Sequence, residues 1–266
     1  MGKVSQASAL ELADNARAEV ADLLDLQLSP LGLAAMAALG PRPGQTIVDV
    51  GCGAGQTVQQ LATRVGPLGR VIGVDIAPRV LEVARSRTTA LSQVQFIQAN
   101  AAALALPDEM ADGVYSRFGV TALDDPVAAF VNFRRMTRRG GRLAFVCWRS
   151  LQENELDLVP LQAAGLDIPV DKTPFKFERH DYLLGVLQVA GFTKIKIEAF
   201  DARVSSGNLD AMLAVLTKVG ALGKLLRETP ALISSVEPKV RAVLMARAAD
   251  GDISLKAATW IASATA

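Results

Sequence analysis

Apolar residues recur along this chain with two alternating periods. Short runs at Ile47–Val50, Val71–Val74, Val94–Ile97, Gly113–Ser116 and Arg142–Trp148 read as strands. Ile47–Val50 is continuously apolar apart from Asp49, as expected of a strand buried on both faces of a parallel sheet. Helical patterns separate the runs. One covers Thr57–Val65 and stops at Gly66-Pro67; another starts at Pro78 and runs to about Arg87. A third opens on Asp124-Asp125-Pro126, with capping oxygens followed by a first-turn proline, and runs to about Thr137. Strand–helix alternation of this kind predicts a doubly wound parallel sheet, with ligands at the carboxyl ends of its strands.

The flanks are less regular. Residues 8–24 and Leu31–Leu39 read as helices, broken by Pro41-Arg-Pro-Gly44. Residues 150–180 are polar and punctuated by proline; Tyr182–Ala190 then reads as a helix and Lys194–Ala199 as a sixth strand. Helices are expected at Leu209–Leu226 and Pro238–Arg247, and a seventh strand at Ile253–Ala262. No repeat, low-complexity tract or second domain is visible. The expected organisation is one domain over 1–266: a helical N-terminal cap (1–45), a core (46–148), an insertion (149–180), and a C-terminal part (181–266) with a helical excursion at 205–251. Within that excursion Leu209, Met212, Leu213, Leu216, Val219, Leu222, Leu225 and Leu226 form an apolar stripe. The stripe either packs on the protein's own core or a second subunit, leaving a homodimer open, or forms a lid made flexible by Gly220 and Gly223.

Composition excludes several classes. Of 266 residues, 50% are hydrophobic, enough for a large core. Lys+Arg 28 against Asp+Glu 27 gives a formal charge of +1, so no nucleic-acid partner is expected. Arg134, Arg135, Arg138, Arg139 and Arg142 cluster near a helix end and read as a solvated face complementing the helix dipole. Two cysteines and one histidine support neither a disulfide framework nor a metal site. The N-terminus has no charged-then-apolar leader, and Gln6 stands where a myristoylation signal after Met1-Gly2 needs Ser or Thr. No uncharged apolar run is expected to span a membrane. A cytoplasmic protein is expected.

The chemistry concentrates in Thr46-Ile-Val-Asp-Val-Gly-Cys-Gly-Ala-Gly-Gln-Thr57 and in Gly73-Val-Asp75. A strand runs into a glycine turn and a helix, and the next strand ends in a carboxylate. Glycines admit close ligand approach, the helix N-terminus offers unpaired N–H groups, and the carboxylate is placed to accept from ribose hydroxyls. This is a nucleoside-binding pattern. Gly51, Gly53 and Gly55 give G-x-G-x-G, with Gln56 where a dinucleotide fingerprint needs its third glycine.

Six motifs occur in order: Val48-Asp-Val-Gly-Cys-Gly-Ala-Gly55, Gly73-Val-Asp-Ile76, Gln98-Ala-Asn-Ala101, Leu106-Pro-Asp108, Asp112-Gly-Val-Tyr-Ser116 and Arg139-Gly-Gly-Arg-Leu143. Over about residues 40–200 the chain thereby resembles the class I S-adenosylmethionine-dependent methyltransferases. Ser116-Arg-Phe-Gly119, Asp125-Pro126 and Gly140-Gly-Arg-Leu143 are similar to the ubiquinone/menaquinone-biosynthesis group among them. The resemblance implies a Rossmann-like α/β fold with seven strands, the last inserted antiparallel, and methyl transfer from S-adenosylmethionine to a small, apolar or aromatic acceptor. It also implies cofactor contacts at Asp49, Gly51, Gly53, Gly55, Asp75, Ile76, Asn100, Ala101 and Ser116.

Each site has a plainer alternative. Asp75 could instead cap the helix at Pro78. Asn100 stands where the family usually has Asp, and is otherwise a turn residue. Asp49, buried between valines, needs a partner. Arg117, Tyr115 and His180 are the candidate catalytic groups; a structural ion pair suits Arg117 equally, and a capping or solvated role suits His180. The competing functions are a nicotinamide-dependent oxidoreductase and a non-catalytic cofactor-binding domain. Arsenite methylation is disfavoured, since soft-metal handling needs more thiolates than Cys52 and Cys147.

Overall fold

The computed structural model describes residues 6–166, 169–248 and 253–266. Met1 and Gly2, read for acylation, and Gly251, the expected end of the helical excursion, lie outside them. Contacts divide the chain into two compact units. The larger holds Leu31–Arg149, Thr173–Phe200 and Thr259–Ala266; the other holds Met1–Pro30, Ser150–Lys172 and Asp201–Ala258.

The larger unit carries the sheet, except the last residues of β6 and the first of β7, which the division assigns to the other unit. Its strands are β1 (Thr46–Val50), β2 (Arg70–Asp75), β3 (Val94–Gln98), β4 (Ala111–Arg117), β5 (Thr137–Trp148), β6 (Thr193–Val204) and β7 (Leu255–Thr265), ordered β3-β2-β1-β4-β5-β7-β6. Neighbours from β3 to β5 are parallel, and β7 runs antiparallel to β5, with Cys147 opposite Trp260. The order reverses between β1 and β4, so the carboxyl ends of those strands form the crevice where such sheets take ligands.

Helices α3 (Gln56–Val65), α4 (Pro78–Arg87), α5 (Pro126–Met136) and α7 (His180–Val189) belong to this unit, as does the second part of α2 (Ala21–Leu39). Asp125 caps α5 by accepting from the Ala128 N–H at 3.0 Å, ahead of Pro126 at the first turn. Ile47, Val48 and Val50 are buried, as are Phe130 and Phe133 of α5, and Phe130 packs on Phe145 of β5 with centroids 5.3 Å apart. Each such ring removes on the order of 2–3 kcal/mol worth of apolar surface from water. Leu31, Ala35, Met36 and Leu39 are buried at helical spacing, so this part of α2 is a core helix. By length and composition α2 also meets the test for a membrane-crossing helix.

The second unit is helical, with α1 (Gln6–Glu19), α6 (Glu155–Ala164), α8 (Leu209–Leu216), α9 (Gly220–Glu228) and α10 (Ile233–Arg247). Helix α6 falls in the polar, proline-marked stretch where the pattern predicts no element; Leu156, Val159 and Pro160 give it a buried face. The single helix expected over Leu209–Leu226 is two. The break is fixed by Gly220, whose φ of +76° is left-handed, and by the Asp157 carboxylate, which accepts from the Ala221 N–H at 2.9 Å. A Cβ on Gly223 would lie 2.4 Å from the Lys218 carbonyl carbon. Both glycines are therefore demanded by conformation and close packing. Met212, Leu213, Leu216, Leu222 and Leu226 are buried, where α8 contacts α6 and α10 and α9 contacts α6 and α8.

Candidate functional site

Four glycines shape the crevice. After β1 the chain turns through Gly51, Gly53 and Gly55, with φ of +71°, +52° and +85°. A Cβ on Gly51 would sit 2.4 Å from Gly119 Cα, so the β1 turn and the chain leaving β4 approach backbone to backbone. At Gly53 a Cβ would meet nothing within 4 Å, leaving that side of the turn open to a ligand. Gly55 opens α3, and no side chain caps that helix. Its first-turn N–H groups keep their affinity for polar or anionic ligand atoms.

Asp75 ends β2 facing this turn. Its Oδ2 accepts from the Gly53 N–H at 2.9 Å and its Oδ1 from the Ala77 N–H at 3.0 Å. The carboxylate thus stiffens the turn and steadies the entry to α4, as its plainer reading expects. A carboxylate offers about four acceptor positions, so roughly two stay available. Ile76, the next residue, is an apolar side chain left 51% exposed.

Asn100 follows β3. Its Oδ1 accepts from the Ala102 N–H at 2.9 Å and caps the single turn Ala101–Ala103. The side chain is exposed, and its second lone pair and amide protons face outward. Ala101 is buried, and its carbonyl accepts from Asn132 Nδ2 at 3.3 Å.

Asp49 is the buried acid of the site. Thr57 Oγ1 donates to its Oδ2 at 2.5 Å, while its Oδ1 is buried without a hydrogen-bond partner. Burial raises its pKa to about 7, against the lowering influence of Thr57 and of the Arg117 charge. A donor arriving with a ligand would satisfy that oxygen. Ser116, also buried, is already engaged: its hydroxyl donates to the Val50 carbonyl at 2.7 Å and accepts from the Val120 N–H at 3.3 Å. Its side chain ties β1 to β4.

The candidate catalytic groups separate. Tyr115 is fully buried, and its hydroxyl donates to the Gly32 carbonyl at 2.8 Å; burial pushes its pKa up, so it anchors α2. Arg117 is half-buried and donates to Gln56 Oε1 at 2.6 Å, at the first residue of α3. His180 begins α7, exposed, with its ring edge-on to Trp260 at 5.6 Å. Trp260 lies on β7 opposite Cys147 of β5, one residue past Val146, the β5 partner of Arg117, so His180 packs beside the carboxyl end of β5, two strands from Arg117.

Three features were not expected from the sequence: a brace on the glycine turn, the partner of Asp49, and the conformation and stacking of Phe118, a residue expected only as one leaving β4 beside the site. Arg87 at the end of α4 donates to the Ala54 carbonyl at 2.9 Å, and Gln59 Nε2 to the Arg87 carbonyl at 2.9 Å, so the glycine turn is braced from both sides. Thr57 partners Asp49; the Thr following Gly55-Gln56 is the only signal that pointed there. Phe118 takes a left-handed φ of 62°, rare without glycine, and stacks on Trp148 at 4.0 Å and 17°. In the arginine cluster Arg138, Arg139 and Arg142 are exposed as expected, yet two of its members also hold neighbouring segments. Arg135 donates to the Leu106 carbonyl at 2.8 Å and pairs with Asp108, holding the loop after β3, and Arg138 pairs with Asp112 at 2.6 Å.

Similarities to known proteins converge on this geometry. Residues 48–145 match the model of the methyltransferase domain family. Demethylmenaquinone methyltransferase of Staphylococcus carnosus is 26% identical over 195 residues, spanning 65% of this chain and 78% of that protein. The YcgJ protein of Bacillus subtilis, at 18% identity, superposes with a TM-score of 0.59 over 88% of this chain and 97% of its own. Phosphoethanolamine N-methyltransferase 2 of Haemonchus contortus, solved with S-adenosyl-L-methionine, is 17% identical with a TM-score of 0.56, covering 89% of this chain and 52% of that one. Together with the seven-stranded sheet and its antiparallel last strand, the matches show a methyltransferase domain at residues 48–145, set in a fold of the class I S-adenosylmethionine-dependent methyltransferase type.

Proposed function

We propose that the chain methylates a small acceptor carrying a flat apolar ring, and that the Phe118–Trp148 stack is the face against which the ring rests. The stack carries this reading. Phe118 keeps a backbone conformation that costs on the order of 1–2 kcal/mol for a residue with a side chain, and such strain concentrates at ligand sites. It immediately precedes Gly119, which abuts Gly51 of the cofactor turn. The name of the Staphylococcus carnosus relative, demethylmenaquinone methyltransferase, points to a ring-bearing apolar acceptor of the same kind.

On this reading the cofactor is held by residues of the larger unit. Asp75 accepts from the two ribose hydroxyls with its remaining lone pairs. Gly51, Gly53 and Gly55 let the backbone reach the ligand. Asp49, through its unpartnered Oδ1, and the Ser116 backbone meet the amino-acid end. Ile76, Asn100 and Ala101 frame the adenine, with Asn100 accepting from the exocyclic amine. The bound cofactor supplies a methyl group on a sulfonium, already a good leaving group. What remains for the protein is to orient the acceptor and exclude water. Tyr115 and His180 are not assigned to proton transfer. Arg117, fixed by Gln56, puts positive charge near an acceptor oxygen that gains negative charge on losing its proton. Such a site suits phenol- or enol-like acceptors that deprotonate without a dedicated base.

Two measurements test this. Asp75→Ala should weaken S-adenosylhomocysteine binding in calorimetry by about 30- to 1000-fold, as expected for two lost charge-assisted bonds. Unchanged affinity would overturn the cofactor assignment. In a turnover panel following S-adenosylhomocysteine release, phenols and quinols should be methylated; turnover confined to polar amines would overturn the acceptor class.

A further inference from the structure

At the other end of β1 from the glycine turn, a cavity of about 180 Å³ opens among the amino ends of β1, β4 and β5. Arg42, Arg138 and Arg142 line it with Asp112, beside Gly40 and Gly113. Three cations thus face one carboxylate, and that carboxylate is already engaged. Asp112 Oδ2 accepts from the Thr46 N–H at 2.7 Å, and its Oδ1 pairs with Arg138 Nε at 2.6 Å. Arg142 Nη2 donates to a neutral acceptor, the Ala38 carbonyl, at 2.7 Å. Arg42 bonds Gln45 Oε1 through its backbone N–H alone. Among the described residues no carboxylate pairs with Arg42 or Arg142. Ala266, just past β7, is bonded through its backbone to Gly140 and Gly141, and among the described residues it pairs with none of these arginines. Arg139, one residue on, turns instead to Glu109 at 3.6 Å.

Like charges gathered around a concavity raise its potential and concentrate counter-ions there. Guanidinium groups offer several fixed donors each, matched to tetrahedral oxyanions that accept from many directions at once. We infer that this pocket is a second ligand site, which binds the phosphate group of a small phosphorylated molecule or of a lipid headgroup. It shares no residue with the cofactor crevice.

Inorganic pyrophosphate serves as the probe for the free form, titrated calorimetrically into the full chain with S-adenosylhomocysteine present at about 150 mM salt, where exposed single charges are screened. Saturable binding is expected, weakened about tenfold or more by Arg42→Gln, with S-adenosylhomocysteine affinity unchanged. Arg42 has no side-chain bond to lose, so this variant should fold. Arg139→Gln removes an equal charge just outside the pocket and should bind like the parent. Co-sedimentation with phosphatidic acid vesicles against phosphatidylcholine vesicles distinguishes the sources: Arg42-dependent pelleting identifies a lipid headgroup, and pyrophosphate binding without pelleting identifies a free phosphate. The proposal fails if neither probe binds, or if Arg42→Gln and Arg139→Gln weaken binding equally.

Discussion

The carboxyl ends of β1 and β2 and those of β4 and β5 lie side by side in one sheet, yet they are built on different principles. At β1 and β2 the site is backbone: left-handed glycines, an uncapped helix and a carboxylate holding the turn by its amides. At β4 and β5 it is side chains: a strained Phe118 on Trp148, Arg117 on Gln56, and Ser116 and Tyr115 engaged in holding strands and helix. A backbone site tolerates few residue types at each position. A side-chain site can be rebuilt for another acceptor without altering the fold.

The sharpest way to break this contrast is within the turn. Gly51→Ala places a Cβ 2.4 Å from Gly119 Cα at a φ of +71°, and should cost about 5 kcal/mol of stability through strain and overlap together. Gly53→Ala, at a φ of +52° with nothing within 4 Å, should cost about 1 kcal/mol and stay folded. It should nevertheless weaken S-adenosylhomocysteine at least about tenfold, because the methyl occupies the space a ligand would take. Equal stability losses by urea denaturation, or undiminished ligand affinity in Gly53→Ala, would mean that the turn is structural alone.

Asp49 joins the two regions electrostatically, and pH exposes it. An unfolded Asp releases its proton near pH 4, whereas in the fold Asp49 holds it to about 7. Between those values the native state binds more protons than the unfolded chain. The contribution from this group is therefore fully present below about pH 4 and is lost as pH rises through about 7. Asn cannot ionise, and its amide oxygen still accepts from Thr57. The stability of Asp49→Asn relative to the parent, without cofactor, should therefore rise between pH 4 and 8. The ceiling is roughly 4 kcal/mol, from three pKa units. A gap that stays flat across that range in thermal melts would show that Asp49 is ionised throughout.

Phe118→Gly probes the side-chain region. Relief of a left-handed conformation, about 1 kcal/mol, should offset the loss of the stacked pair, about 1 kcal/mol, and leave stability near that of the parent. The acceptor KM should rise about tenfold while S-adenosylhomocysteine affinity holds. If cofactor affinity falls instead and KM does not change, the stack belongs to the cofactor half.

The same contrast explains what the sequence disclosed. Strands β1 to β5 and helices α3 to α5 were legible because each has a period and a punctuating Gly, Pro or Asp. The place of Asp75 beside the glycine turn was legible because it closes a strand next to β1. The Phe118–Trp148 stack was not, since a left-handed Phe has no compositional signature and its partner lies thirty positions on. What the Tyr115 and Ser116 side chains hold was not legible either, since only their partners Gly32 and Val50 show it. The break between α8 and α9 was hidden for a similar reason, since its cap, Asp157, comes from α6. Arginines 138 and 142 were read as a solvated helix face because Arg42 and Asp112, which share their pocket, lie on other elements.

The smallest expected effect tests a departure from the family pattern. Asn100 caps the turn after β3 by accepting from the Ala102 N–H. Aspartate caps such turns equally well, so Asn100→Asp should change stability by less than about 0.5 kcal/mol. Its carboxylate would accept from the adenine amine with charge assistance, which the amide lacks, and S-adenosylhomocysteine affinity should stay equal or improve by up to about tenfold. The charge brings a desolvation cost, but the side chain is exposed, so that cost is small. A large loss of affinity with unchanged stability would show that Asn100 donates to the ligand through its amide protons. The adenine would then be read through an acceptor atom on its ring, and the departure from the usual Asp would be a change in recognition, not a tolerated substitution.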